Sequence, residues 1–149
     1  MSESDRDQGI AATIMISGRG AGAVAGQRAM NGGTRVGGSY LELEKRYQAY
    51  SKALHKDGGE PLAAFRALVK AAGTDGALDH KTKELTALAI SVAIRCEGCI
   101  VFHVRACLRL GVSRAELLPL LGVAVEMGGG PSAVYGAQAL ACYDEMAAA

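Results

Sequence analysis

From Tyr40 onward the chain returns to apolar residues every three or four positions, the spacing of helices with one buried stripe. Leu41, Leu43, Tyr47 and Leu54, interleaved with charges, predict an amphipathic helix that ends near Asp57, Gly58 and Gly59. Pro61 suits a first helical position, and Leu62, Phe65, Leu68 and Val69 carry a second helix to Gly73. A third starts after Asp79, presents Leu85, Leu88, Ala89, Val92 and Ala93, and ends close to Cys96. Gly98 marks a break, Cys99 to Leu110 is helical again, and Gly111 closes that helix. Ser113 and Glu116 form a capping-box pattern ahead of Leu117, Leu118, Leu120, Leu121, Val123 and Val125. Gly128 to Gly130 with Pro131 predict a turn, and a last helix runs from Ser132 to about Met146. No segment alternates convincingly as a strand would, so the predicted fold class is all-α.

The first 38 residues break this pattern. They hold nine of the 20 glycines and no sustained helical period, which predicts a flexible Gly-rich tail over 1–38 and a helical domain over 39–149. A phosphate-cradling loop does not follow from these glycines, because no strand-to-helix context and no Gly-Lys-Ser or Gly-Lys-Thr ending accompanies them.

Composition narrows the function classes. With 149 residues, half of them hydrophobic, the chain can build one core. A formal net charge of +1 gives no footprint for nucleic acid or an anionic membrane. No uninterrupted apolar run nears the roughly 20 residues of a membrane span. Ser2, Glu3, Asp5, Arg6 and Asp7 do not resemble a signal peptide, so a soluble cytoplasmic protein is expected. The segment 114–127 is apolar most of the way round, and aromatic residues make up only 5% of the chain. Such a helix needs cover from more protein, which favours a homo-oligomer.

Candidate chemistry concentrates in one place. Of four cysteines, Cys96, Cys99 and Cys107 fall within twelve residues, which fits a local thiol site in a reducing compartment better than a scattered disulfide framework. Cys96 and Cys99 are spaced to close a small disulfide, and a helix start exposes the second thiol, Cys99, to unpaired backbone N–H groups and the positive dipole end, which favours thiolate. His103, one turn beyond Cys99, is spaced to accept a thiol proton, and Glu84 on the preceding helix is within reach of His103 or a thiol if the two helices cross. A carboxyl, an imidazole and two thiols point to hydroperoxide reduction or thiol-disulfide exchange. Zinc is the competing use of two thiols and an imidazole, but a closed site needs a fourth ligand and no second Cys-x-x-Cys or His-x-x-x-His exists; neither a metal nor a cofactor is expected. Cys107 and Cys142 read as buried packing groups, and His55 and His80 as exposed polar positions.

The segments "KELTALAISVAIRCEGCIVFHVRACLRLG" and "SRAELLPLLGVAVEMGGGPSAVYGAQAL" resemble the carboxymuconolactone decarboxylase superfamily, and within it the alkylhydroperoxidase D-like branch. The resemblance implies Cys99 as the peroxide-attacking thiolate, Cys96 as its resolving partner, His103 as base and Glu84 as the far end of a proton relay. It also implies a homotrimer or homohexamer and electrons from a dithiol donor, either lipoyl-bearing or thioredoxin-like. The chain departs from that pattern at Gly98, where well-known peroxidase members carry a histidine. Two alternatives stand beside it: a lactone decarboxylase-like lyase using His103 and Glu84, and a non-catalytic helical oligomer.

Overall fold

The computed structural model describes residues 38–149, in five helices and, among these residues, no strand. The predicted tail, apart from Gly38, lies outside the described residues. In chain order the helices are α1 (Tyr40–Asp57), α2 (Gly59–Gly73), α3 (His80–Ala93), α4 (Glu97–Arg109) and α5 (Arg114–Ala147).

Side chains cap the starts of α1, α3, α4 and α5, where backbone N–H groups lack partners, whereas α2 starts from Gly58 with no side-chain cap. Ser39 with Glu42, and Ser113 with Glu116, make reciprocal capping boxes for α1 and α5. Asp79 accepts the N–H of Thr82 at 2.7 Å at the head of α3. The ends of α3 and α4 share one pattern of backbone bonds. After α4, Gly111 adopts φ 69° while Val112 N–H donates to Cys107 O and Gly111 N–H to Leu108 O. After α3 the same pair of bonds runs from Cys96 N–H to Ser91 O and from Arg95 N–H to Val92 O. Here the left-handed residue is Arg95, at φ 61°, where glycine is the usual choice.

The core lies between α3, α4 and α5, with α1 laid across one side. Leu88, Val92, Ile100, Val101, Val104, Leu117 and Ala139 are essentially inaccessible. Tyr143 donates its hydroxyl to Val112 O at 2.7 Å, tying the α4–α5 loop to the far end of α5.

Three expectations change. The Gly128–Pro131 turn is a kink rather than an interruption: only Gly129 leaves helical dihedrals, at φ 66° and ψ −155°, and α5 resumes with Pro131 in its first turn. A side chain at Gly128 would put its Cβ 1.9 Å from the buried hydroxyl of Ser132. Second, the two helices expected on either side of that turn form one helix, Arg114–Ala147, long and apolar enough by composition to cross a membrane although its apolar run is interrupted. Its residues Leu117, Leu121, Ala124, Gly136, Ala139 and Cys142 face the helical core instead. Third, α2 buries none of its residues, and Phe65 and Leu68 stay 55% and 64% exposed. Leu54 and Ala93 are also exposed. The stripe on α2 is real, but what it faces is not part of the described core.

Candidate thiol site

Residue Cys96 joins two helices. Its N–H closes the end of α3, and its side chain is the N-cap of α4, where Sγ accepts the N–H of Cys99 at 3.3 Å. Cys96 and Cys99 are bonded as a disulfide, with Cα atoms 5.2 Å apart. A thiolate on Cys96 would meet that N–H and the positive end of α4, which lowers the cost of the anion. Sequence reasoning assigned the helix-start advantage to the second cysteine; the hydrogen bond gives it to the first.

One turn further along α4, His103 points its Nδ1 at Glu84 of α3, 2.7 Å from Oε2. Both are partly buried, with side chains 23% and 15% exposed. Two antiparallel neighbours, α3 and α4, thus bring together residues nineteen apart in sequence. An ionised carboxylate only accepts, so the bond fixes the His103 proton on Nδ1 and leaves Nε2 with its lone pair. The other carboxylate oxygen, Oε1, lies 3.3 Å from Nε2 of His80, a residue read from sequence as an exposed bystander. The signal for it was present: His80 and Glu84 are four apart at the start of a helix.

Cys96, Cys99 and His103 line a groove of about 970 Å³ between α1, α2 and α4, walled by Phe65, Val69 and Phe102. The ring of Phe102 meets His103 edge-on, with centroids 5.3 Å apart. Arg105 grips Glu44 of α1 through both Nε and Nη2, at 2.9 and 2.7 Å, and fixes α1 against α4 at the groove wall. That pairing holds the guanidinium still more firmly protonated than usual.

The ring of Tyr47 lies against Gly98, so that a Cβ there would sit 3.5 Å from it, and its hydroxyl donates to Glu97 Oε2 at 3.3 Å. Tyr47 therefore covers the backbone between the two cysteines. No periodicity in α1 could have indicated this, because the partner is fifty residues away.

Cys107 is fully buried, and desolvation, reinforced by the charge of Glu84, pushes its thiol up to about 12. It stays protonated at any ordinary pH. Cys142 is buried against Met146. Neither joins the groove. His55 is partly buried rather than exposed, and its Nδ1 has no hydrogen-bond partner among the described residues. Among the described residues, no group of three or more His, Cys, Asp or Glu is arranged to hold a metal ion.

Residues 59–141, more than half of the chain, match the model of the carboxymuconolactone decarboxylase family. The chain belongs to this family. An uncharacterized protein of Cupriavidus necator is 41% identical over 85 residues, which span 57% of this chain and 75% of that one. An uncharacterized protein from the cox locus of Paracoccus denitrificans is 39% identical over 83 residues, spanning 56% and 75%. Among solved structures, an apo family member from Legionella pneumophila superposes with a TM-score of 0.69 at 44% identity, covering 71% of this chain and 95% of that one. A family member from Thermotoga maritima, for which a part in antioxidative response has been suggested, superposes with a TM-score of 0.63 at 28% identity, covering 73% and 90%.

Proposed function

We propose that the chain is a thiol-dependent oxidoreductase of the alkylhydroperoxidase D-like kind, which reduces hydroperoxides or exchanges disulfides through Cys96 and Cys99. The observation that carries this reading is a disulfide at the N-cap of α4 sharing one groove with an imidazole whose Nδ1 is held by a carboxylate. The suggested antioxidative role of the Thermotoga maritima relative agrees with it.

In the oxidative half, His103 Nε2 takes the Cys99 proton and the thiolate attacks the terminal oxygen of ROOH. An S–O bond forms, the O–O bond breaks, and the alkoxide leaves as ROH after taking the proton back. Cys96 then attacks the sulfenic sulfur, forming the S–S bond and releasing hydroxide, which the Cys96 proton converts to water. The sum is one ROOH and two thiols giving ROH, water and one disulfide.

In the reductive half a donor dithiol, lipoyl-bearing or thioredoxin-like, attacks Cys99 Sγ. Cys96 departs as a thiolate, the better leaving group because of the hydrogen bond from Cys99 N–H. The donor's second thiol then attacks the donor sulfur of the mixed disulfide, releasing Cys99 as a thiol and the donor as its disulfide. The chemistry requires a reducing compartment such as the cytoplasm. The bare apolar side chains of α2 and the exposed Leu118, Val123, Met127 and Val134 of α5 support assembly into a trimer or hexamer.

The test is to treat reduced protein with an organic hydroperoxide and follow peroxide loss beside thiol loss. Equal consumption, abolished by Cys99→Ser, is expected. Thiols that stay reduced, or lactone decarboxylation that survives loss of both cysteines, would transfer the assignment to the lyase chemistry of the family name.

A further inference from the structure

We propose that His80 is the solvent end of the proton relay, passing protons between water and His103 through the two oxygens of Glu84. This rests on the dithiol reading and adds to it a positioning residue that does not line the groove.

Each oxygen of Glu84 faces a different imidazole: Oε2 lies 2.7 Å from His103 Nδ1, and Oε1 lies 3.3 Å from His80 Nε2. Along this path the side chains are 23% exposed at His103, 15% at Glu84 and 46% at His80. The carboxylate between the two rings is the most shielded of the three groups, and the outer ring is the wettest. A proton taken at His103 Nε2 leaves through Nδ1 to the carboxylate. The protonated carboxyl turns about its Cγ–Cδ bond to face His80 and passes the proton to Nε2 when that ring presents its lone pair, and Nδ1 of His80 then releases a proton to water. The reverse path recharges His103 when an alkoxide or hydroxide must be protonated. Only protons are exchanged, with no bond between heavy atoms made or broken, and histidine is the side chain suited to carry them near neutral pH.

The surroundings hold His80 in place without competing for its ring. Asp75 Oδ1 accepts the backbone N–H of His80 at 2.7 Å, and Gly73 at the end of α2 leaves room beside the imidazole. From the rest of α3, Lys83 is engaged with Thr74 O and Lys81 with Glu116 of α5. From α4, His103 and the protonated Cys107 complete the groups around Glu84. A plain surface pair at this spacing contributes little to stability and nothing to turnover. The two readings therefore separate in kinetics.

The experiment compares His80→Gln and His80→Ala with wild type in a dilute, non-imidazole buffer from pH 5 to 8, with an organic hydroperoxide and a dithiol reductant. The relay predicts kcat lowered by about tenfold, less than the hundredfold or more a directly acting base contributes, with KM for the hydroperoxide unchanged. It also predicts that added imidazole restores His80→Ala, and that Glu84→Gln removes this rescue. A rate and pH profile equal to wild type, or a lowered rate insensitive to imidazole, would overturn the relay while leaving the dithiol reading standing. Wild-type thiols that ignore hydroperoxide would overturn both.

Discussion

The Sγ of Cys96 accepts the N–H of Cys99 at 3.3 Å, so one residue both caps α4 and contributes half of the disulfide. The two sulfurs are thereby served differently. Cys96 has the helix terminus, and Cys99 has an imidazole one turn along its own helix. This division suits a pair in which one thiol attacks and the other departs.

Thiol reactivity follows from that division and from burial. In reduced, folded protein at pH 7 to 8, an alkylating reagent is expected to label Cys96 and Cys99 and to spare Cys107 and Cys142. Cys107 is held near 12 by burial, so raising the pH to 9 will not expose it. Mass spectrometry of the labelled protein should give two adducts native and four after unfolding; a third fast adduct on native protein would contradict the buried placement.

Replacing Glu84 tests the pair it makes with His103. Glu84→Gln keeps the volume but frees the His103 proton to choose either nitrogen, and it removes the charge that stabilises an imidazolium. Peroxide-dependent turnover should fall by about a hundredfold, in the range of lost acid-base assistance, while hydroperoxide KM changes little. Steady-state kinetics at fixed donor concentration decide it, and a loss confined to KM would point to substrate binding instead.

Arg95 sits at φ 61° immediately before the thiol pair, where its counterpart after α4 is Gly111. A side chain in that region costs on the order of 1–2 kcal/mol, and a β-branched one more. Arg95→Gly should leave Tm unchanged or raise it slightly, since the relief is offset by a more flexible unfolded chain. Arg95→Val should lower stability by about 1–2 kcal/mol. Thermal melts of both variants check the sign, and a stable Val variant would show that the left-handed turn relaxes freely.

Glu116 gives a pH dependence with a definite direction. Its carboxylate is lowered to about 2, first by Lys81 at 2.8 Å and then by the N–H and hydroxyl of Ser113. A depressed folded value means that its stabilisation is fully present above the ordinary value of 4.5 and is lost as pH falls toward 2. Wild type and Glu116→Gln should therefore differ in denaturant midpoint at pH 6 and converge near pH 2. A difference that persists at pH 2 would assign the effect to packing.

Much of the fold was legible from the chain because its signals are local. Asp79, Ser113 with Glu116, and Gly111 announce helix ends through side-chain and φ requirements, and the stripe through Leu88 and Val92 announces a buried face. Where partners lie outside the local window, the pattern misleads. Phe65 and Leu68 have helical spacing but no cover, and the glycines before Pro131 look like a stop although only Gly129 departs from helical geometry. Glu84 and His103 were legible because a hairpin of two helices brings such positions opposite each other. Tyr47 was not, because its place over Gly98 comes from how α1 crosses α4. Arg95 was not, because nothing in an arginine signals a left-handed backbone.

The central claim is that Cys96 and Cys99 cycle between dithiol and disulfide at the expense of a hydroperoxide. The direct measurement is peptide-mapped mass spectrometry of reduced protein before and after one equivalent of an organic hydroperoxide, with peroxide loss followed in parallel. Rapid conversion to a Cys96–Cys99 disulfide, with one peroxide consumed per disulfide, is expected. Protein whose Cys96 and Cys99 remain reduced while the peroxide persists would contradict it.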